Sequence, residues 1–274
     1  MAKLRSTVSH RVIHEFRVPK VLVATPVHDG MVTVTYTEAL LTAAQKLQST
    51  VELRPVFIGA TLIAQARNAF ATMVLEDPSF THLLFIDSDM GFRPDAIERM
   101  LAYDRDFVGC IAPQRDIDLD RMHTISREID NPALARMIAQ DYATTALLPS
   151  ELGDGRTGLV MQDGFIRARR IGMGLTLIKR TVLEQMRQAC PDLAAPATDR
   201  YRRMGVREEV FQAFESTRGP DGIFLSEDLS FCERWRRLGG EIWVCVDEVI
   251  THVGRKAFQG RYVDRLAFES ARGL

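Results

Sequence analysis

THLLFIDSDMGF, residues 81–92, joins an almost entirely apolar run to two carboxylates. The run His82–Ile86 predicts a buried strand of a parallel sheet, because such strands are covered on both faces. Asp87 and Asp89 then fall at the carboxyl end of that strand, where open α/β sheets bind their ligands. An ionised carboxylate is costly to bury without a partner, so both side chains are expected to reach solvent or a cation.

Apolar runs alternate with helical patterns on both sides of this segment. The predicted strands comprise residues 21–25, 53–58, 82–86, 107–111, 174–178 and 242–246. The predicted helices comprise residues 38–47, 62–75 and 227–238 and segments that begin at residues 94 and 181. This alternation indicates βαβ units, and hence an α/β fold with a mainly parallel sheet and right-handed crossovers.

Residues 114–170 interrupt the alternation and are interpreted as a central insertion. Within them, Asn131-Pro132 predicts the start of a helix that runs to about Tyr142, because Asn is a good N-cap and Pro suits the first turn.

Turn signals predict two further irregular segments. Asp163-Gly164 is typical of a hairpin turn, here between residues 158–162 and 165–170. Residues 191–206 are rich in Pro, Ala, Asp and Arg without a clear period, and we expect a mobile loop there.

The composition suits one sizeable domain. Of 274 residues, 46% are hydrophobic, so a substantial core can form. We assign residues 1–19 to an N-terminal arm and residues 20–274 to a single domain. The net charge of -1 lacks the basic excess that is typical of nucleic-acid-binding proteins, so no nucleic-acid partner is expected.

The cysteines and the N-terminus indicate the compartment. The four cysteines form no C-x-x-C pair, and two lie in apolar stretches, which favours buried thiols over disulfides or a zinc site. The N-terminus has no apolar run long enough for a signal peptide, and no stretch approaches the roughly 20 residues of a membrane span. We expect a cytoplasmic protein; the sequence leaves its oligomeric state open.

The D-x-D spacing of Asp87 and Asp89 is not specific by itself, since three other such triplets occur, at residues 104–106, 116–118 and 118–120. Only Asp87 and Asp89 follow an apolar strand. Their hard oxygens would suit Mg²⁺ or Mn²⁺, ions that are commonly shared with substrate phosphates. The alternative for this pair is a loop cap.

A second feature is FLSEDLSFCERWRRLGGEIWVCVDEVITHVG, residues 224–254. Ser226 can cap a helix whose positive first turn would hold Glu227 and Asp228, and this local role explains the acidic pair alone. It does not explain the complete order of acidic helix start, Gly-Gly stop, strand and His252.

These motifs together resemble GT-A fold glycosyltransferases. The resemblance rests on the strand-terminal D-S-D, the G-x-G-x-x-L-x-K segment at residues 172–179, and the E-D…W-R-x-L-G-G…H-V-G module, and it covers residues 21–254. The sequence is most similar to bacterial and phage family-2-like enzymes. The resemblance implies a Rossmann-like mixed sheet, mainly parallel and flanked by helices, with the central insertion added to it.

The resemblance implies a nucleotide-binding role for four residues, and the charge of the leaving diphosphate suggests a fifth. It implies that Thr25 and Pro26 hold the nucleotide base, that Arg67 contacts the nucleotide and that Asp87 faces the ribose or a metal-bound water. For Arg67, the alternative is a solvent-facing helix residue. Lys256, with Arg255, is a candidate for electrostatic stabilisation of the leaving diphosphate, and the alternative is an ordinary basic tail.

The resemblance also implies a metal and a base. Asp89 and His252 would ligate Mn²⁺ or Mg²⁺, although a lone His is more often a packed residue. Asp228 matches the base that deprotonates the acceptor hydroxyl in an inverting enzyme, and Glu227 would bind substrate hydroxyls. Inversion is favoured; with retention, Asp228 would position a substrate instead. Residues 114–116 and 191–206 are expected on the acceptor side.

The sequence therefore predicts metal-dependent transfer of a sugar from a UDP- or GDP-linked donor to the hydroxyl of an unidentified acceptor. A catalytically inactive nucleotide-sugar binder remains an alternative. A sugar-1-phosphate nucleotidyltransferase is disfavoured, because residues 24–36, ATPVHDGMVTVTY, contain one Gly and no Lys or Arg after the first strand.

Overall fold

The computed structural model describes residues 18–142, 147–151, 156–254 and 257–272. Most of the predicted arm, residues 1–17, therefore lies outside the described residues. The strands are β1 Lys20–Val27, β2 Glu52–Gly59, β3 His82–Ile86, β4 Met90–Gly91, β5 Phe107–Cys110, β6 Pro113–Ile117, β7 Gln140–Tyr142, β8 Ser150–Glu151, β9 Thr157–Gly158, β10 Phe165–Ala168, β11 Leu175–Lys179, β12 Ala194–Pro196, β13 Glu209–Phe211, β14 Thr217–Arg218, β15 Phe224–Leu225, β16 Ile242–Cys245, β17 Ile250–Val253 and β18 Ala257–Gly260.

Helices lie in several of the connections between these strands, and one follows β18. They are α1 Val34–Leu47, α2 Ile63–Glu76, α3 Asp95–Tyr103, α4 Leu119–Ile125, α5 Pro132–Ala139, α6 Arg180–Ala189, α7 Asp199–Arg203, α8 Glu227–Arg237 and α9 Tyr262–Ser270, with a 3₁₀ turn at Pro191–Leu193. None of the helices in the described ranges combines the length and the apolar character needed to cross a lipid bilayer.

The central sheet has the order β10-β16-β5-β11-β3-β1-β2 within the described residues. Strands β1, β2, β3, β5 and β16 run in one direction, and β10 and β11 run against them. The predicted α/β class with a mixed, mainly parallel sheet is confirmed. The predicted insertion, residues 114–170, is only partly separate from this sheet: its last part contains β10, which pairs with β16 at the sheet edge, whereas β6, β7, β8 and β9 pair outside the sheet.

The alternation of β3 divides the core into two layers. Leu83 and Phe85 pack with α2, α6 and α8 on one face, and Leu84 and Ile86 pack with α1 and α3 on the other. A strand exchanges faces at every residue, so a continuous apolar run is what a sheet covered on both sides requires.

Several predicted elements have different boundaries. The first helix begins at Val34, four residues earlier than predicted, because the Thr33 hydroxyl accepts a hydrogen bond from the Tyr36 amide and caps it. The helix after Asn131 starts as predicted but ends at Ala139. The residues that follow form β7, which pairs with β6.

The predicted hairpin is correct only at its turn. Asp163 and Gly164 have positive φ angles of 52° and 85°, and Gln162 and Phe165 exchange two backbone hydrogen bonds of 2.8 Å. Beyond the turn, β10 pairs with β16 and β9 pairs with β8. The aromatic and aliphatic side chains of β10 are buried in the main sheet, which outweighs local pairing with the exposed residues before the turn.

The prediction of a mobile loop over residues 191–206 is wrong. The segment forms the 3₁₀ turn, β12 and α7, and Ala197, Tyr201 and Val206 are buried. Polar groups of α2 organise the segment that follows: Asn68 accepts from the Phe214 amide at 2.8 Å, and Thr72 accepts from the Phe211 amide at 2.9 Å. These partners are remote in sequence, so the local pattern does not show them.

The predicted state of the cysteines agrees with the structure. All four lie in the described part of the chain and are free thiols, and Cys110, Cys232 and Cys245 are buried.

His82 begins β3 in a shielded position, with its Nδ1 2.8 Å from the Thr81 hydroxyl. Burial, with a further contribution from Lys179, lowers the pKa of His82 from 6.5 to about 4, against a small opposing effect of Asp104. Between these values the unfolded chain binds a proton that the folded chain does not, so stability falls as the pH falls through this range.

We expect acidification from pH 7 to pH 5 to lower the free energy of unfolding by about 2 kcal/mol through His82. Urea unfolding at both pH values measures the change. His82→Gln should remove this part of the pH dependence, whereas His123→Gln, at an exposed position in α4, should leave it intact. An unaltered pH dependence in His82→Gln would contradict the assignment.

Candidate functional site

The loop that follows β3 is fixed by three other parts of the chain. The Asp87 amide donates to the Gly174 carbonyl at 3.0 Å, the Ser88 carbonyl accepts from the Thr33 amide at 2.9 Å, and the Asp89 carbonyl accepts from the Val253 amide at 2.9 Å. Backbone hydrogen bonds to other parts of the chain therefore fix the backbone of residues 87–89. The positions of the Asp87 and Asp89 side chains do not depend on contacts within the loop alone.

The pairing of β4 with β17 brings His252 to Asp89. In this antiparallel pair, His252 lies opposite Met90 and Thr251 lies opposite Gly91. His252 Nε2 is 3.4 Å from Asp89 Oδ2. Gly91 is required here, because a Cβ at this position would collide with the side chain of Thr35.

A backbone carbonyl orients the His252 ring. Nδ1 lies 2.8 Å from the Pro113 carbonyl oxygen, which can only accept, so Nδ1 carries hydrogen and Nε2 faces Asp89. Burial lowers the pKa of His252, but the hydrogen bonds to Asp89 and Pro113 outweigh it, and the pKa lies above its ordinary value.

The Asp89 and His252 side chains fit a divalent cation. A carboxylate oxygen suits Mn²⁺ or Mg²⁺, and the Nε2 of an imidazole with a fixed tautomer is a nitrogen ligand for a transition-metal ion such as Mn²⁺. The described residues contain no group of three or more His, Cys, Asp and Glu side chains arranged for a metal. An ion here would need further ligands from a substrate or water, which is the usual situation of Mg²⁺ at phosphate sites.

Arg67 is buried, with 3% exposure, so the solvent-facing alternative is wrong. Its guanidinium joins two carboxylates: Nη1 donates to Glu227 Oε1 at 2.5 Å, and Nη2 lies 3.5 Å from Asp87 Oδ1. Asp87 Oδ1 and Arg67 Nε are both buried without a hydrogen-bond partner. The Asp87 contact is therefore one of charge, and it ties the end of β3 to the first turn of α8.

Asp228 follows Glu227 in the first turn of α8 and is half-buried. Its Oδ1 accepts from the Ser226 hydroxyl and from the Leu229 amide. No described residue makes a hydrogen bond or ion pair with Oδ2, so one carboxylate oxygen is free to accept a proton.

A cleft of about 650 Å³ lies at the carboxyl ends of β1, β2 and β3. Its described lining includes Pro26, Asp87, Asp89, Arg115 and His252. The predicted Thr25 does not line it: the Thr25 side chain is fully buried, and its hydroxyl lies 2.5 Å from the Tyr36 hydroxyl.

A smaller cavity of about 160 Å³ adjoins the cleft, and Asp87 and His252 line both. Arg67 and Asp228 line only the smaller one, together with residues 172–174. The absence of a side chain at Gly174 lets the backbone of residues 172–174 lie close to Met90, since a Cβ there would lie 2.6 Å from Met90 Cε. The site thus has a large compartment at the β1–β2 side and a small one at the α8 side.

The remaining predicted residues are Arg115 and the basic pair after His252. Arg255 and Lys256 lie outside the described residues, so the structure says nothing about their position. Arg115, expected on the acceptor side without a defined role, lines the large cleft, and its Nη1 lies 3.2 Å from Asp89 Oδ2. Its sequence position shortly after β5 is the only signal that could have suggested a place near the site.

Comparisons with known proteins add little to this geometry. No protein-family model matches the chain, and no curated protein matches it. Among solved structures, A197 from STIV is 14% identical, with a TM-score of 0.46 over 88% of this chain and 94% of A197. Mannose-1-phosphate geranyltransferase from Thermus thermophilus is 10% identical, with a TM-score of 0.38 over 84% of this chain and 74% of that protein. We draw no conclusion about activity from either.

The position of Arg67 leads to a stability prediction. Arg67→Met leaves Asp87 and Glu227 without a counter-charge, and we expect the free energy of unfolding to fall by about 3 kcal/mol. Guanidinium chloride unfolding measures it. Arg54→Met is the matched control: its ion pair with Glu52 is exposed, so we expect a change below about 1 kcal/mol.

A second variant separates charge from packing. Adding Glu227→Gln to Arg67→Met should restore part of the loss, because one of the two uncompensated carboxylates is removed. If Arg67→Met and Arg54→Met lose the same small amount, Arg67 does not have the proposed electrostatic role.

Proposed function

We propose that this protein transfers a sugar from a nucleoside diphosphate sugar to an acceptor hydroxyl, with a divalent cation and with inversion at the anomeric carbon. The observation that carries the proposal is the joining of two compartments at the end of β3. Asp87 and Asp89 line the cleft, His252 reaches Asp89, and the adjoining cavity leads from Asp87 to Asp228.

The large cleft is the proposed donor site. Its volume lies within the usual range of ligand pockets, and it occupies the sheet edge at which α/β proteins bind nucleotides. We assign the nucleotide base to the ends of β1 and β2, next to Pro26. Thr25 would act by fixing the end of β1 through Tyr36, and Lys256 is retained as a candidate contact for the diphosphate.

Asp89 and His252 would hold Mn²⁺ or Mg²⁺ in this cleft. When bound, the ion supplies Lewis-acid stabilisation of the departing diphosphate. Asp87 would lie beside the ribose or a water of the ion, and the positive charge of Arg67 holds this carboxylate in place. From its place at the border of the small cavity, Arg67 is also proposed to approach the nucleotide phosphates.

The small cavity is the proposed place of reaction. The acceptor oxygen forms a bond to the anomeric carbon while the bond from that carbon to the diphosphate breaks. The hydroxyl proton passes to Asp228, whose Oδ2 has no partner among the described residues. Glu227 uses Oε1 to bind Arg67, which leaves Oε2 as the proposed contact for a substrate hydroxyl.

Asp89→Ala tests the metal part of the proposal. We expect the affinity for UDP and GDP in the presence of Mn²⁺ to fall about tenfold or more, because one of the two protein ligands is lost. Isothermal titration with each nucleotide measures it. Asp106→Ala is the matched control, since Asp106 has the same D-x-D spacing but pairs with Lys179 at the start of β5. Wild-type affinity in Asp89→Ala would refute the metal assignment.

Asp228→Asn tests the base. We expect the slow hydrolysis of UDP-glucose and GDP-mannose, in which water replaces the acceptor, to fall about 100-fold or more while nucleotide affinity is unchanged. Asp221→Asn is the control, because Asp221 also accepts from a backbone amide but lies on the β14–β15 turn. Undiminished hydrolysis in Asp228→Asn would remove Asp228 as the base.

The same assays distinguish the alternatives. Nucleotide-sugar binding by the wild type without hydrolysis or transfer would favour an inactive binder. Release of pyrophosphate from UTP or GTP with a sugar 1-phosphate would favour a nucleotidyltransferase.

A further inference from the structure

One oxygen of Asp89 meets two nitrogen groups. Arg115 Nη1 lies 3.2 Å and His252 Nε2 lies 3.4 Å from the same Oδ2. The Arg115 side chain is 55% exposed, whereas that of Asp89 is 22% exposed. The guanidinium therefore contacts the Asp89 carboxylate from the solvent side, which is also the side from which a metal ion would approach.

The charge of the cleft makes Arg115 important for an anionic ligand. Asp29, Asp87 and Asp89 line the cleft, and Arg115 is the only Lys or Arg among its lining residues that the structure describes. A diphosphate would add negative charge to three carboxylates, which repel it. Binding therefore requires cations, and Arg115 is placed to supply one of them.

Arg115 and a divalent cation cannot share Asp89 Oδ2 without mutual repulsion. The two roles are compatible if the guanidinium moves. The backbone of β6 is anchored two residues earlier, where the Pro113 carbonyl accepts from His252 Nδ1. The long, exposed side chain of Arg115 can turn away from Asp89 while this anchor stays in place.

We propose that Arg115 is a mobile cation of the donor site. It pairs with Asp89 in the free protein and transfers to the diphosphate when the divalent cation takes its place on the carboxylate. This inference rests on the proposed function. A guanidinium suits the second position because its fork of N–H groups can bind two phosphate oxygens at once.

The exchange predicts opposite effects on two affinities. Without nucleotide, Arg115 competes with the metal for Asp89, so its removal strengthens the binding of Mn²⁺ alone. With nucleotide, Arg115 contributes to diphosphate binding, so its removal weakens the binding of UDP and GDP. A residue that merely supported the shape of the cleft would weaken both.

The experiment compares Arg115→Met with wild type in two titrations. Electron paramagnetic resonance of free Mn²⁺ gives the metal affinity without nucleotide, which we expect to rise about twofold to fivefold, the range of an exposed ion pair. Calorimetry at saturating Mn²⁺ gives the affinity for UDP and GDP, which we expect to fall about tenfold or more, as for a lost charged hydrogen bond.

Arg202→Met is the matched control. Arg202 is 56% exposed and makes one ion pair of 3.0 Å, with Asp199, away from the cleft. Both affinities should remain at the wild-type values. Arg115→Lys keeps the charge without the fork, and its nucleotide affinity should lie between those of wild type and Arg115→Met.

Each result has a definite meaning. Wild-type nucleotide affinity in Arg115→Met, or weaker binding of Mn²⁺ alone, would overturn the exchange. If the wild type binds neither UDP nor GDP in the presence of Mn²⁺, the proposed function fails, and the nucleotide role of Arg115 fails with it. Nucleotide binding by the wild type that is insensitive to Arg115 would refute the exchange alone.

Discussion

The site depends on one constraint, which is that two negatively charged side chains directly follow a buried strand. Asp87 and Asp89 follow directly on four residues of β3 that are fully buried, and carboxylates in such a place need compensating groups. The chain brings them from distant positions: Arg67 from α2, Arg115 from β6 and His252 from β17. The elements that surround the end of β3 are arranged so that these three side chains lie next to its carboxylates.

The small sheet of β4, β17 and β18 shows how His252 is positioned next to Asp89. Its strands are short, yet pairing with β4 fixes the register of His252 against the residues that follow Asp89. Strand β6 then orients the imidazole through the Pro113 carbonyl and carries Arg115 to the same carboxylate. The insertion therefore begins as a structural part of the site, and near its end β10 joins the edge of the central sheet beside β16.

The sequence predicts those features that depend on neighbours along the chain. The apolar run of β3 and the carboxylates after it could be recognised because burial on both faces leaves a continuous pattern. Arg67 could be named as a candidate from the resemblance, but its burial and its two ion pairs could not be predicted, since its partners lie 20 and 160 residues away and an arginine in a helix usually faces solvent. Tyr201 is a similar case: it packs on α2, and only the folded chain shows why its segment is ordered.

The wall that the two cavities share also links their charges. Asp87 and His252 line both compartments, and Asp87, Arg67 and Glu227 form a continuous chain of opposite charges from the end of β3 to the start of α8. A cation near Asp87 would weaken the attraction between Asp87 and Arg67. The guanidinium would then interact more strongly with Glu227, which is next to Asp228. A positive charge bound beside Asp87 would therefore reach the first turn of α8 through these two ion pairs.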